Sequence, residues 1–304
     1  MEDRFKGCLL GLACGDAVGT TLEFKLHGSF EPATDMVGGG PFGLRAGEWT
    51  DDTSMALCLA VSLLDKGRFD PQDQMARYVH WWTEGYLSSN GTCFDIGNTV
   101  AEALHRYQQT GEPYSGSTDP YTAGNGSIMR LAPVPMMYVE DLGQVAHYSA
   151  ESSRTTHGAG EAVDACRLFG VMIALALRGE DEEAILFHAQ EREPSLRALA
   201  SSIDAIAGGR YRDKERGEIR GSGYVVKSLE AALWCFWRTN SYREAILRAA
   251  NLGEDADTTA AVCGQIAGAH YGVDGIPDGW LSRLAKRRYI EGLAGELYER
   301  RERA

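Results

Sequence analysis

The chain has no apolar run approaching the ~20 residues of a membrane span. The stretch after Met1-Glu2-Asp3-Arg4 does not have the layout of a secretory signal, so the expected location is the cytoplasm. There is no CxxC pair either: the seven cysteines are scattered and odd in number, which argues against a disulfide frame or zinc knuckle and for buried thiols. Basic charge is short as well. Lysine and arginine total 30 against 43 acidic residues, a formal charge of -13, so the chain lacks the clustered cations that a sequence-independent grip on nucleic acid requires. An anionic ligand must therefore be held locally. Runs that alternate apolar and polar residues, low-complexity tracts, linkers and clear internal repeats are also missing.

What is present is a 304-residue chain, 44% hydrophobic and 24% charged, with apolar residues at helical spacing in almost every long segment. The expectation is an all-α fold, a compact many-helix bundle forming a single domain over 1–304 and acting as a monomer. Phe5, Cys8, Leu9 and Leu12 mark a first helix ending near Gly15-Asp16-Ala17-Val18-Gly19, and a glycine-rich loop follows from Val37 to Gly43. A helix over 53–66 is closed by Gly67, and the next opens with Asp70 as N-cap and Pro71 at the first helical position. Further helices are expected around 97–110, 141–152, 160–178, 181–190, 195–207, 222–238, 241–252, 258–271 and 278–301, with the longest loop between about 111 and 126. Pro133 and Pro135 should shorten or kink whatever starts at Ser127.

Two acidic clusters carry the chemistry. Asp255-Ala256-Asp257-Thr258 leads into a helix rich in Ala and Gly, whose small side chains let it lie deep in a bundle with its acidic start held rigidly. Thr50-Asp51-Asp52-Thr53 opens the helix that continues Met55-Ala56-Leu57. Each cluster can simply cap its helix, because acids are favoured at helix N-termini. Taken together, Thr50, Asp51, Asp52, Asp255, Asp257 and Thr258 supply enough hard oxygen donors for two divalent cations, Mg²⁺ or Mn²⁺ rather than zinc. Asp95, in Phe94-Asp95-Ile96-Gly97, is either a base for a cation-activated water or another cap, and Asp16 and Glu23 share that ambiguity. In Gly124-Asn125-Gly126-Ser127, two glycines beside an Asn free backbone N–H groups for an anion, and a diphosphate fits; an unliganded turn is the alternative. His157 is either a ligand contact or an interhelical histidine, and Tyr224 either a base-stacking platform or a core aromatic.

In this order the motifs resemble the ADP-ribosylglycohydrolase family, in particular its dinitrogenase reductase-activating branch. The residues that carry the resemblance are Gly15-Asp16-Ala17-Val18-Gly19 with Glu23-Phe24, Thr50-Asp51-Asp52-Thr53, Asp95-Ile96-Gly97-Asn98-Thr99, Gly124-Asn125-Gly126-Ser127 with Met129-Arg130, Thr156-His157, Gly223-Tyr224 and Asp255-Ala256-Asp257-Thr258. The resemblance implies an all-helical hydrolase that uses two divalent cations to cut ADP-ribose from a modified protein, typically from arginine, with free ADP-ribose as product. It makes Thr50, Asp51, Asp52, Asp255, Asp257 and Thr258 the metal ligands, and puts Asp95 and Glu23 at the reacting centre. It likewise makes the turn at Gly124, Asn125, Gly126 and Ser127 the diphosphate cradle, His157 a positioning residue and Tyr224 the adenine platform. One departure stands out: where the family shows a second glycine, this chain has Glu254, expected to restrict φ and bring one more negative charge towards the cations. Serine-, nucleic-acid- or small-molecule-linked ADP-ribose would suit the same site. A dinuclear nucleotide phosphohydrolase and a non-catalytic binding protein are the readings from other classes.

Overall fold

Gly7, Gly11, Gly15 and Gly19 recur at the four-residue interval that places them on one face of a helix. In the computed structural model, which describes residues 1–302, that face is where the fold is closed. The helices are α1 (Glu2–Gly19), α2 (Asp51–Lys66), α3 (Pro71–Glu84), α4 (Asn98–Thr110), α5 (Pro133–Met137), α6 (Leu142–Arg154), α7 (Gly160–Arg178), α8 (Glu182–Phe187), α9 (Ala189–Arg192), α10 (Ser201–Ala207), α11 (Val225–Trp237), α12 (Tyr242–Ala250), α13 (Ala256–Tyr271), α14 (Asp278–Arg283) and α15 (Arg287–Arg300). Short 3₁₀ turns join some of them, and the described residues form no β-sheet, only isolated bridges. The all-α expectation holds.

Helices α1 and α13 pack antiparallel, backbone on backbone. A Cβ on Gly7, Gly11, Gly15 or Gly19 would overlap the carbonyl oxygen of Gly268, Gly264, Ala260 or Ala256 respectively, so only glycine permits the approach. Most residues of both helices are buried, and α2, α7, α11 and α12 surround them in one continuous apolar core. This pairing sets the C-terminal end of α1, with Asp16, beside the acidic start of α13. All seven cysteines are free, six of them buried, and no helix among the described residues is long and apolar enough to cross a membrane.

The structure departs from the sequence-based boundaries in four places. The longest connection runs from Glu23 to Thr50, not through 111–126. The 181–190 segment is two short helices, α8 and α9, broken at His188. Over 195–207 the first part is a 3₁₀ turn, because Asp164 Oδ2 takes the N–H of Ala200 (2.7 Å) and α10 starts only at Ser201. The 278–301 segment is broken between α14 and α15. There the N–H of Ala285 goes to Gly47 O (2.9 Å), its carbonyl accepts from Trp49 Nε1 (3.3 Å), and Lys286 turns left-handed. Those bonds anchor the loop that delivers Thr50. As expected from Pro133 and Pro135, α5 is a single short helix.

Candidate metal centre

The start of α2 is held by α1. Asp16 Oδ1 accepts from Thr50 N (2.9 Å) and Thr50 Oγ1 (2.9 Å), and Oδ2 accepts from Thr53 N (3.1 Å) and Thr53 Oγ1 (2.6 Å). A carboxylate 34 residues upstream thus caps α2 in place of a local N-cap, and it is fully buried. Asp52, also fully buried, is poorly provided for. Its Oδ2 has only the hydroxyls of Thr50 (3.2 Å) and Thr258 (3.4 Å) in reach, and the single proton of Thr50 Oγ1 also faces Asp16. Asp52 Oδ1 has no protein partner.

Helix α13 is capped the same way, from a distance. Glu23 Oε2 accepts the N–H groups of Ala256 (2.7 Å) and Asp257 (3.2 Å), while Asp257 Oδ1 accepts that of Thr258 (2.7 Å). Asp255 Oδ2 takes the amide of Asn125 at 2.8 Å. Carboxylate oxygens of Asp16, Asp52 and Asp257 lie within 4.8 Å of one another, and so do those of Glu23, Asp255 and Asp257. The two groups meet at Asp257. Glu23, Asp255 and Asp257 line the floor of a cavity of about 710 Å³ whose walls include Asp51, Asp95, Asn125, Gly126, His157 and Thr258, while Asp16 and Asp52 are fully buried and do not line it.

So much negative charge out of water favours protonation unless a cation neutralises it. Burial, reinforced by the neighbouring acids, pushes Asp16 and Asp255 up to about 7 and Asp257 and Asp95 up to about 6. Glu23, Asp51 and Asp52 are raised further by the same causes.

The turn at Gly124–Gly126 is fixed from behind by the fully buried Arg130. Its guanidinium donates to Gly126 O (3.0 Å), Ser152 O (3.3 Å), Thr155 Oγ1 (3.2 Å) and Thr156 Oγ1 (2.8 Å), and stacks over Tyr78. Because Arg130 can only donate, the Thr156 hydroxyl proton is free for His157 Nδ1 at 2.8 Å, which puts the ring proton on Nε2. Burial, and Arg130 second, depress His157 to about 3, so it is a neutral donor at the cavity wall. The ring also explains the glycines: a Cβ on Gly126 would lie 2.8 Å from His157 Cε1 and one on Gly124 3.3 Å from Nε2.

Comparison with known proteins decides what the arrangement belongs to. A family model described as ADP-ribosylglycohydrolase matches residues 1–304. The chain belongs to the ADP-ribosylglycohydrolase family. A protein named ADP-ribosylarginine hydrolase Tri1, from Pseudomonas putida (strain GB-1), is 50% identical over 298 residues, 98% of this chain and 78% of that one. A protein of the same name from Serratia proteamaculans (strain 568) is 46% identical, covering 97% and 79%. The ADP-ribosyl-dinitrogen reductase glycohydrolase of Rhodospirillum rubrum is 33% identical, covering 93% and 91%. A solved structure titled ADP-ribosylglycohydrolase-related protein complex superposes with a TM-score of 0.87 at 41% identity, covering 99% of this chain and 98% of that one.

Within this member of the ADP-ribosylglycohydrolase family, most residues singled out in the sequence converge. Glu23, Asp51, Asp95, Gly124, Asn125, Gly126, His157, Asp255, Asp257 and Thr258 line the cavity, while Thr50 and Asp52 lie buried beneath it. Asp51 stands outside both carboxylate groups. Two of the residues singled out, Ser127 and Tyr224, stand outside the lining. The Ser127 hydroxyl is buried against Ser153 Oγ (3.0 Å) and Cys166 Sγ (3.4 Å), behind the cavity wall rather than in it. Tyr224 is no part of the lining either: its ring is 40% exposed on the rim and its hydroxyl donates to Glu161 Oε2 (2.6 Å). Glu254 takes a left-handed φ of 61° and lines the cavity, and its carboxylate pairs with Arg220 (3.2 Å). Sequence reasoning also gave no role to Arg130 or Thr53. An arginine four residues after Gly126 was the one available signal.

Proposed function

We propose that the chain hydrolyses the bond between ADP-ribose and the arginine side chain of a modified protein, with the help of two divalent cations. The observation that carries this reading is the pair of carboxylate groups joined at Asp257 on the floor of a cavity, in a chain half identical to a protein named for that activity.

The residues fit hard cations. Their donors are all oxygens, and Asp52 Oδ1 is a buried carboxylate oxygen that no protein group satisfies. Thr50, Asp51, Asp52, Asp255, Asp257 and Thr258 would hold Mg²⁺ or Mn²⁺, with Asp16 fixing Thr50 and Thr53 from behind. When bound, such cations orient substrate oxygens and make a water acidic enough to react near neutral pH.

Asp95, poised near 6 at the cavity wall, takes the proton of the attacking water. The water oxygen bonds to the anomeric carbon and the carbon–nitrogen bond breaks. Its electrons go to the guanidine, and the proton held by Asp95 passes to that leaving group. Gly124 and Asn125 spend their N–H groups on Thr122 O (2.7 Å) and Gly223 O (3.0 Å), whereas those of Gly126 and Ser127 have no protein acceptor among the described residues. These two amides and His157 Nε2–H are therefore the donors for the diphosphate, and Ser127 contributes through its backbone alone. Tyr224, held by Glu161, offers its ring to adenine from the rim.

The test is release of ADP-ribose from ADP-ribosylarginine before and after chelation, with Mg²⁺ or Mn²⁺ added back. Turnover that is lost with chelator and restored by either cation supports the reading; turnover indifferent to chelator, or none under any condition, contradicts it.

A further inference from the structure

On one side of the cavity mouth the acids give way to phenyl rings. Phe24 directly follows Glu23, and Phe94 directly precedes Asp95. Phe42 stands between them, its ring 6.2 Å and edge-on from Phe24 and 5.3 Å from Phe94. It is delivered by the tight turn whose ends pair Gly39 with Leu44. Gly40 sets that turn: its φ is 66°, and a Cβ there would overlap the carbonyl of Thr20.

These rings are not hidden. Phe24 is 65% exposed and the neighbouring Leu26 72%, so the two present an exposed apolar patch beside the cavity that they help to line. Phe24 is also held at a φ of 60°, an outlier for a bulky residue. Two backbone bonds maintain it, Phe24 N–H to Glu254 O (2.8 Å) and Glu254 N–H to Lys25 O (2.7 Å). Unfavourable backbone beside a reacting centre is typical of a segment shaped for binding.

We infer that Phe24, Phe42, Phe94 and Leu26 form the surface on which the target polypeptide rests, binding apolar residues on either side of the ADP-ribosylated arginine. The inference rests on the arginine reading given above. Position selects the occupant: one end of the row is the covalent neighbour of Asp95, the base proposed at the bond to be cut, and the other of Glu23, which lines the same cavity. Adenine lies at the far end of ADP-ribose from that bond, separated by the diphosphate and both riboses. Phenyl rings have no polar group to offer the sugar or the phosphates. What adjoins the bond on its other side is the arginine and its flanking chain, and an apolar row is complementary to apolar neighbours there.

The experiment compares free ADP-ribosylarginine with two ADP-ribosylated peptides, one with leucines and one with glycines flanking the modified arginine. Wild-type protein and the variant Phe24→Asn with Leu26→Ser are assayed, Asn being tolerant of positive φ. A thermal melt confirms that the variant is folded. In the wild type the leucine peptide should show a KM about tenfold below that of the glycine peptide, the effect of burying one or two leucines. In the variant the two peptides should agree within about twofold, with kcat/KM on the free compound unchanged. Equal KM for both peptides in the wild type overturns the inference, and so does an equal loss on the free compound, which would assign the rings to ADP-ribose itself. A wild type that cleaves none of the three removes the arginine reading and the surface with it; cleavage of the free compound without peptide discrimination removes only the surface.

Discussion

Asn125 Nδ2 donates to Asp255 Oδ2 across 2.8 Å, joining the Gly124–Gly126 turn to the first acid of the last motif, 130 positions along the chain. The same amide lies 3.2 Å from Ser228 Oγ in α11, so the turn, α11 and the start of α13 are fixed as one unit. A hydrogen bond to a charged acceptor is worth about 1.5–3 kcal/mol. Replacing Asn125 with Ala should therefore weaken cation binding about tenfold or more, and ADP-ribose binding with it. Titration calorimetry with Mn²⁺, then with ADP-ribose, checks this; unchanged affinity for both would mean that the bond does not organise the site.

That bond also shows which parts of the structure were legible in the sequence. Helix type and most boundaries could be read, because local signals govern them: Asp70 does cap α3 ahead of Pro71, and Gly67 does end α2 in a left-handed turn. The metal-ligand candidates were readable for a similar reason, since each cluster sits at its own helix start. What escaped was support from a distance. Asp16 caps α2 from α1 and Glu23 caps α13 from the loop after α1, so neither looks different from an ordinary local cap in one dimension. The break before α15 was missed because Gly47 and Trp49, far upstream, take the backbone groups of Ala285. That the Ser127 hydroxyl turns towards Ser153 was not legible either, because spacing does not reveal which way a hydroxyl turns.

The cation-free protein should lose stability as pH rises. Asp16 and Asp255 stand at about 7 and Asp257 and Asp95 at about 6 when folded, against about 4 for an unfolded aspartate. Folded-state values above the unfolded ones mean that the native state holds protons the unfolded state has released, so the stabilisation is full at low pH and disappears as pH climbs through 6 and 7. After chelation, Tm should fall by roughly 5 °C between pH 5 and pH 8. Added Mg²⁺ or Mn²⁺ should raise Tm more at pH 8 than at pH 5. A chelated protein whose Tm rises over that interval would contradict the clustering of buried acids.

The close approach of α1 and α13 can be tested by adding a methyl group. Gly15→Ala drives a Cβ into the Ala260 carbonyl and should destabilise the protein by about 3 kcal/mol, separating Asp16 from Asp257 as it does so. Gly292→Ala in α15 meets nothing within 4 Å and should stabilise by about 0.5–1 kcal/mol. Chemical denaturation of both variants provides the comparison. Similar effects in the two would show that the glycine face is not a backbone contact.

Asp95→Asn keeps a residue suited to the φ of 63° at that position while removing the proposed base. kcat on ADP-ribosylarginine should fall by about 10²–10⁴, with ADP-ribose affinity within a few-fold of wild type. Full turnover in this variant would take Asp95 out of the proton transfer.

The most direct measurement is anomalous diffraction from crystals soaked in Mn²⁺. Two peaks are predicted on the cavity floor on either side of Asp257, one contacting Asp52 and the other Asp255, with metal–oxygen distances of about 2.0–2.3 Å. Peaks confined to the outer surface, or no peak near Asp257 at saturating Mn²⁺, would contradict the account.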